Sequence, residues 1–104
     1  MNSSLKCKTK EDLKDFLLDM LKKGSFENLT FFMQRRVIWR EDDQYWFFVV
    51  YDNDCIGMFN ERDYLFDNFL KSLGLDNSDM LEIYYRVQCI DIDSLTGTIQ
   101  YYLG

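Results

Sequence analysis

Histidine and proline are absent from this chain of 104 residues, and glycine occurs only five times. Without histidine, the commonest general acid–base and the usual partner of a serine or cysteine nucleophile are missing, so hydrolysis by a triad is excluded in its usual form. The glycines stand at 24, 57, 74, 97 and 104, with no G-x-G or Walker spacing, which removes the loops that cradle phosphate in the usual nucleotide enzymes. No low-complexity tract, internal repeat or linker breaks the sequence. One domain over residues 1–104 is the expectation.

Cysteine is scarce as well. Cys7, Cys55 and Cys89 are an odd number at wide spacings with no C-x-x-C pair, so neither a disulfide framework nor a zinc knuckle is expected. Three reduced, mostly buried thiols suit a cytoplasmic protein. The polar residues 1–10 do not resemble a secretory signal, and no run reaches the roughly 20 apolar residues of a membrane span.

What is present is charge, unevenly placed, and aromatic volume. Residues 1–40 carry nine Lys/Arg against five Asp/Glu, while residues 41–104 carry three against thirteen, so a part near +4 is joined to one near −10 for a net −6. Such a surplus attracts basic partners and weighs against direct nucleic-acid binding. Nine Phe, seven Tyr and two Trp, within a hydrophobic fraction of 47%, are enough for a core without staples or metal. Some of the tyrosines should remain at the surface, and beside carboxylates they would suit a protein interface.

Periodicity predicts the elements. Thr9 caps a helix over 10–23, with Leu13, Phe16, Leu17, Met20 and Leu21 on one face and Gly24 at its end. Residues 25–32 are ambiguous between a helical turn and a strand. Period-two alternation predicts strands near 35–40, over 44–51 and over 55–59, the second central because it is apolar on both faces. Asp52-Asn53-Asp54 is a turn. A helix capped within 60–63 runs to Gly74, alternation over 80–92 predicts a long strand, and residues 98–103 a last one. The sum is an α+β fold of order α-β-β-β-α-β-β, a mostly antiparallel five-stranded sheet with two helices on one face.

Candidate chemistry is thin. Asp52/Asp54 and Asp91/Asp93 have the i, i+2 spacing of a carboxylate pair on one strand face, although 18 acidic residues produce such pairs readily. Residues 52–57 resemble the start of a calcium loop, but Ile56 occupies a ligand position and Asp63 stands where a bidentate Glu belongs. No metal and no cofactor are expected. The basic residues Lys6, Lys8, Lys10, Lys14, Lys22, Lys23, Arg35, Arg36 and Arg40 are interleaved with acids, as a solvated face requires.

The acidic turns are the remaining signal. Glu41, Asp42, Asp43, Asp52, Asp54, Asp76, Asp79, Asp91 and Asp93 fall at expected strand ends or loops, with Tyr45, Tyr51, Tyr84, Tyr101 and Tyr102 as candidate aromatic anchors. If they converge they form a negative docking surface; if not, they are ordinary turn carboxylates. On the first reading, amide substitution of Asp42, Asp43, Asp52 and Asp54 weakens binding without unfolding. The expectation is a non-catalytic acidic protein that occupies the basic site of another protein, such as an immunity protein blocking a nuclease-type toxin. A phage-encoded nucleic-acid mimic directed at a defence nuclease shares the same physics. An acidic adaptor or chaperone-like subunit, bound through apolar burial, is the alternative of a different class.

Overall fold

The computed structural model describes residues 5–37 and 43–92. The first helix, α1 (Lys10–Lys23), begins at a full capping box: Asp12 N–H donates to the Thr9 hydroxyl, and Thr9 N–H donates to the Asp12 carboxylate, both at 3.1 Å. It ends at Gly24, whose φ of 71° is the left-handed conformation that closes a helix and that glycine adopts without strain. Leu13, Leu17 and Met20 point into the core.

The ambiguous segment after α1 resolves as a loop and turn over 25–28 followed by strand from Leu29, so the strand expected near 35–40 begins earlier than foreseen. β1 (Leu29–Val37), β2 (Asp43–Tyr51) and β3 (Asp54–Glu61) form an antiparallel meander, and the sheet order is β3-β2-β1-β4, with β4 (Gln88–Asp91) parallel to β1. β2 is therefore interior, as its two apolar faces require. Asp52 and Asn53, with φ of 51° and 66°, make the two-residue type I′ connection that suits the twist of a hairpin. Between Val49 and Val50 the register of β3 slips at a bulge, so Ile56 and Phe59 face the helices while Cys55 and Met58 face away.

Two expectations about the second half are corrected. The helix foreseen from residues 60–63 onward starts later, because β3 continues to Glu61 and α2 is only Phe66–Lys71. Asp63 is not the N-cap residue of α2; its carboxylate accepts from Leu65 N–H in the preceding loop and from the side-chain amide of Asn68 in the first turn of α2. The long strand over 80–92 is instead helix α3 (Asn77–Arg86) followed by the short β4. Asp76 caps α3 by accepting from Asp79 N–H at 2.9 Å, and Met80, Ile83 and Val87 are buried at i, i+3 and i+7, the helical period. The apparent alternation arose because apolar residues on that helix also flank its buried stripe.

The described sheet is thus four-stranded and mixed, with three helices, an α+β domain rather than five mostly antiparallel strands with two helices. The strand expected over 98–103 lies outside the described residues. All three helices contribute to one core on a single face of the sheet, with Leu13, Leu17, Phe69, Leu70, Met80 and Ile83 packed over Phe31, Phe47, Val49 and Phe59. α2 inserts an aromatic plug there: Phe69 stacks on Phe47 with ring centroids 4.6 Å apart, and Phe66 lies 4.8 Å from Phe31. On the other face Phe32, Phe48, Val50 and Ile92 form a second buried cluster.

Residue 5 onward runs beside β3, where Cys7 N–H donates to Ile56 C=O at 2.8 Å and Cys7 bridges to Gly57. Gly57 leaves no room for a side chain: an added Cβ would stand 2.8 Å from Phe59 Cε2 and 3.4 Å from Cys7 O. Gly57→Ala is expected to cost about 1–3 kcal/mol through the displaced Phe59 ring and the loosened N-terminal segment. A lower urea midpoint at unchanged slope would be the observation; an unchanged midpoint would show that the contact relaxes freely.

Candidate functional site

Among the described residues, helix packing leaves aromatic rings of α3 and of the loop before α2 exposed. On α3, Leu81, Tyr84 and Tyr85 stand at i, i+3 and i+4, beside the buried stripe rather than within it. Tyr84 packs on Phe66 at 5.9 Å and edge-on against Tyr85 at 5.3 Å, which ties the outer face of α3 to the start of α2. In the loop before α2, Tyr64 leans on Tyr45 of β2 with centroids 5.8 Å apart, and Leu65 follows it. Tyr85 is 78% exposed and Tyr64 58%, values far beyond what buried anchoring would leave, so these rings are presented to solvent on a rigid base. Under Tyr64 that base is Tyr45, and under Tyr85 it is Tyr84 resting on Phe66, a ring that itself contacts Phe31 and Phe47.

Charge around this surface is predominantly negative. Residues 61–86 hold six Asp/Glu against three Lys/Arg. Glu61 is paired to Lys10 at 2.7 Å and Glu82 to Arg86 at 3.0 Å. Asp63, Asp67, Asp76 and Asp79 make no ion pair among the described residues. The hydrogen bond from Leu65 N–H, with a second from the Asn68 amide, holds the Asp63 carboxyl below the usual range and keeps it anionic. Arg35, in register with Tyr45, is the cation at the margin.

The sequence-predicted residues are dispersed. Asp52 and Asp54 flank the β2–β3 turn at one end of the sheet. Asp43 begins β2 at the other end, eight residues from Tyr51 and so roughly 26 Å away along an extended strand. Asp91 lies on β4, at the opposite edge of the sheet from β3. Glu41, Asp42, Asp93, Tyr101 and Tyr102 lie outside the described residues, and for Asp43 only the backbone position is described. The described acidic turns therefore do not converge. Of the expected aromatic anchors, Tyr45 and Tyr84 belong to the aromatic surface, whereas Tyr64, Leu65, Leu81 and Tyr85 were missed. The spacing of Leu81, Tyr84 and Tyr85 is the signal that would have found them, once residues 77–86 are read as a helix.

Chemistry at these positions is limited. Asp52 sits in the turn and Asp54 opens β3, so the two are not consecutive same-face positions of one strand, as a carboxylate pair would need. No group of three potential metal ligands occurs among the described residues. Burial, helped by the charge of Asp12, pushes the Cys7 thiol up to about 11; burial and Asp91 push Cys89 up to about 12, and burial raises Cys55 as well. Thiols so shifted stay protonated at neutral pH and are poor nucleophiles. No helix among the described residues is long and apolar enough to cross a membrane. No protein-family model matches the chain, and no curated protein and no solved structure matches it either.

Proposed function

We propose that this protein acts by binding a basic partner protein through the aromatic surface of Tyr45, Tyr64, Leu65, Leu81, Tyr84 and Tyr85. The observation that carries the reading is the pair Tyr64 and Tyr85, exposed to solvent on the Tyr45 and Tyr84 rings, in a part of the chain where Asp63, Asp67, Asp76 and Asp79 make no ion pair among the described residues. Tyrosines of this kind are the usual anchors of a protein interface, with large area and little side-chain entropy to lose. The net charge of −6 steers a cationic partner toward the protein and repels a second acidic copy. Occlusion of the partner's substrate site, in the manner of an immunity protein neutralising a nuclease-type toxin, is the form of function that this chemistry serves. The carboxylates then take the Lys and Arg that would otherwise hold phosphate.

An adaptor or chaperone-like role is favoured by one specific feature, the exposed aliphatic side chains Leu65 and Leu81 beside the tyrosines. Apolar burial would then dominate affinity. Salt separates the two, because charge pairing at a surface is screened and apolar burial is not. In a pull-down with this protein as bait, a basic nucleic-acid-acting protein released by washing at high salt is the expected result. A salt-resistant, non-basic partner would overturn the inhibitor reading in favour of the adaptor.

A further inference from the structure

At about 100° per residue round α3, Tyr85 stands opposite the buried Met80 and Ile83, with Tyr84 and Arg86 on the two flanks between. The Tyr84 flank rests on Phe66 of α2 at 5.9 Å. The other flank is held by one side chain that reaches 62 residues back along the chain. Arg86 Nη2 donates to Gly24 C=O at 2.8 Å, Nη1 meets Glu82 Oε2 at 3.0 Å, and Cζ lies 4.8 Å from the centre of the Phe26 ring. Gly24 closes α1, so its carbonyl stands at the negative end of that helix dipole, where a cation is favoured. Phe26 is buried in the main core.

A guanidinium makes these three contacts together because it is planar: two nitrogens donate in the plane while the face lies on the ring. A lysine ammonium has no such face. Glu82 belongs to α3 itself, so its pair with Arg86 stiffens the helix without tying it to anything else. The tie to α1 is the bond to Gly24 together with the contact on Phe26. We infer that Arg86 is a positioning residue for the tyrosine surface, fixing the rotation of α3 about its axis and so the direction in which Tyr85 is presented. The inference rests on the reading of that surface as an interface. A ring held in one orientation before binding has less freedom left to lose on binding.

The test is amide hydrogen exchange of the full chain, followed by NMR, for the wild type, Arg86→Lys and Glu82→Gln. In Arg86→Lys the amides of α3, from Met80 bonded to Asp76 C=O to Val87 bonded to Ile83 C=O, should exchange roughly tenfold faster, and those of the β1–β2 ladder within about twofold of wild type. A residue that only added to overall stability would speed both sets alike. Glu82→Gln, which breaks the pair within α3 alone, should change the same amides by no more than about twofold. Affinity of Arg86→Lys for the captured partner should fall roughly fivefold. Wild-type exchange in α3, equal acceleration of helix and sheet, or an effect of Glu82→Gln as large as that of Arg86→Lys would each overturn the assignment. So would a loosened α3 with wild-type affinity, in a chain whose affinity Tyr85→Ala does lower. A surface that is no interface shows separately, as wild-type affinity after Tyr85→Ala.

Discussion

Replacing Phe69 with alanine is expected to remove about 3–5 kcal/mol of folding free energy. The ring is 2% exposed and lies at the centre of the helix–sheet core. It stacks on Phe47 at 4.6 Å, meets Phe59 at 5.7 Å and meets Phe31 edge-on at 6.2 Å, so one truncation opens a cavity bordered by all three described strands of the meander. Relaxation into that cavity is restricted because Phe66 and Leu70, its neighbours on α2, already fill the adjacent positions. A domain of this size is stable by about 5–15 kcal/mol in total, so the variant should be partly unfolded near physiological temperature. Phe69→Leu keeps most of the volume and should lose only about 1–2 kcal/mol. Urea unfolding followed by tryptophan fluorescence gives both numbers. A loss below about 1 kcal/mol for Phe69→Ala would mean that α2 is not the keystone of the core.

The second large effect concerns binding rather than stability. Simultaneous Tyr64→Ala, Tyr84→Ala and Tyr85→Ala substitution is expected to weaken association with the captured partner by roughly a hundredfold or more, since exposed anchors of this kind each contribute up to about 2 kcal/mol or beyond at an interface centre. Folding should lose about 1–3 kcal/mol in sum, mostly through Tyr84, which packs on Phe66, and Tyr64, which packs on Tyr45, so affinity is compared at a temperature where the variant's unfolding curve shows it fully folded. Asp63→Asn and Asp67→Asn should act differently: they reduce charge without removing contact area, so their effect falls on the association rate and fades as salt rises. Wild-type affinity in the triple tyrosine variant, with an intact thermal transition, would place the interface elsewhere.

α1, β2, β3 and the order of the meander were legible in the sequence because their signals are local and redundant, whereas β1 starts at Leu29 rather than near residue 35, since its apolar run over 31–33 shows no alternation. Thr9, Asp12, Leu13, Leu17 and Gly24 each mark the same helix, and the Asp52-Asn53 turn follows from residues that tolerate positive φ. Residues 77–92 were not legible by alternation, because Leu81, Ile83 and Tyr85 satisfy period two while Met80, Ile83 and Val87 satisfy the helical period. The Asp76 cap, bonded to Asp79 N–H, decides between them, and it lay in a stretch that also reads as a loop. That one misreading hid most of the candidate surface, since Tyr84 and Tyr85 share an outer side only on a helix. For the acidic turns the sequence was legible in part. The separation of Asp43 from Asp52 was readable, since the expected strand over 44–51 lies between them, whereas the place of Asp91 depends on strand order, which puts β4 at the edge opposite β3.

The most direct measurement of the central claim is the Kd for the captured partner as a function of sodium chloride, for the wild-type chain and the triple tyrosine variant together. The account predicts a basic partner, a wild-type affinity that falls at least roughly tenfold between 0.05 and 0.5 M salt as surface charges are screened, and a variant that is weak at every concentration. A wild-type affinity indifferent to salt, or a variant that binds as tightly as the wild type, would contradict it.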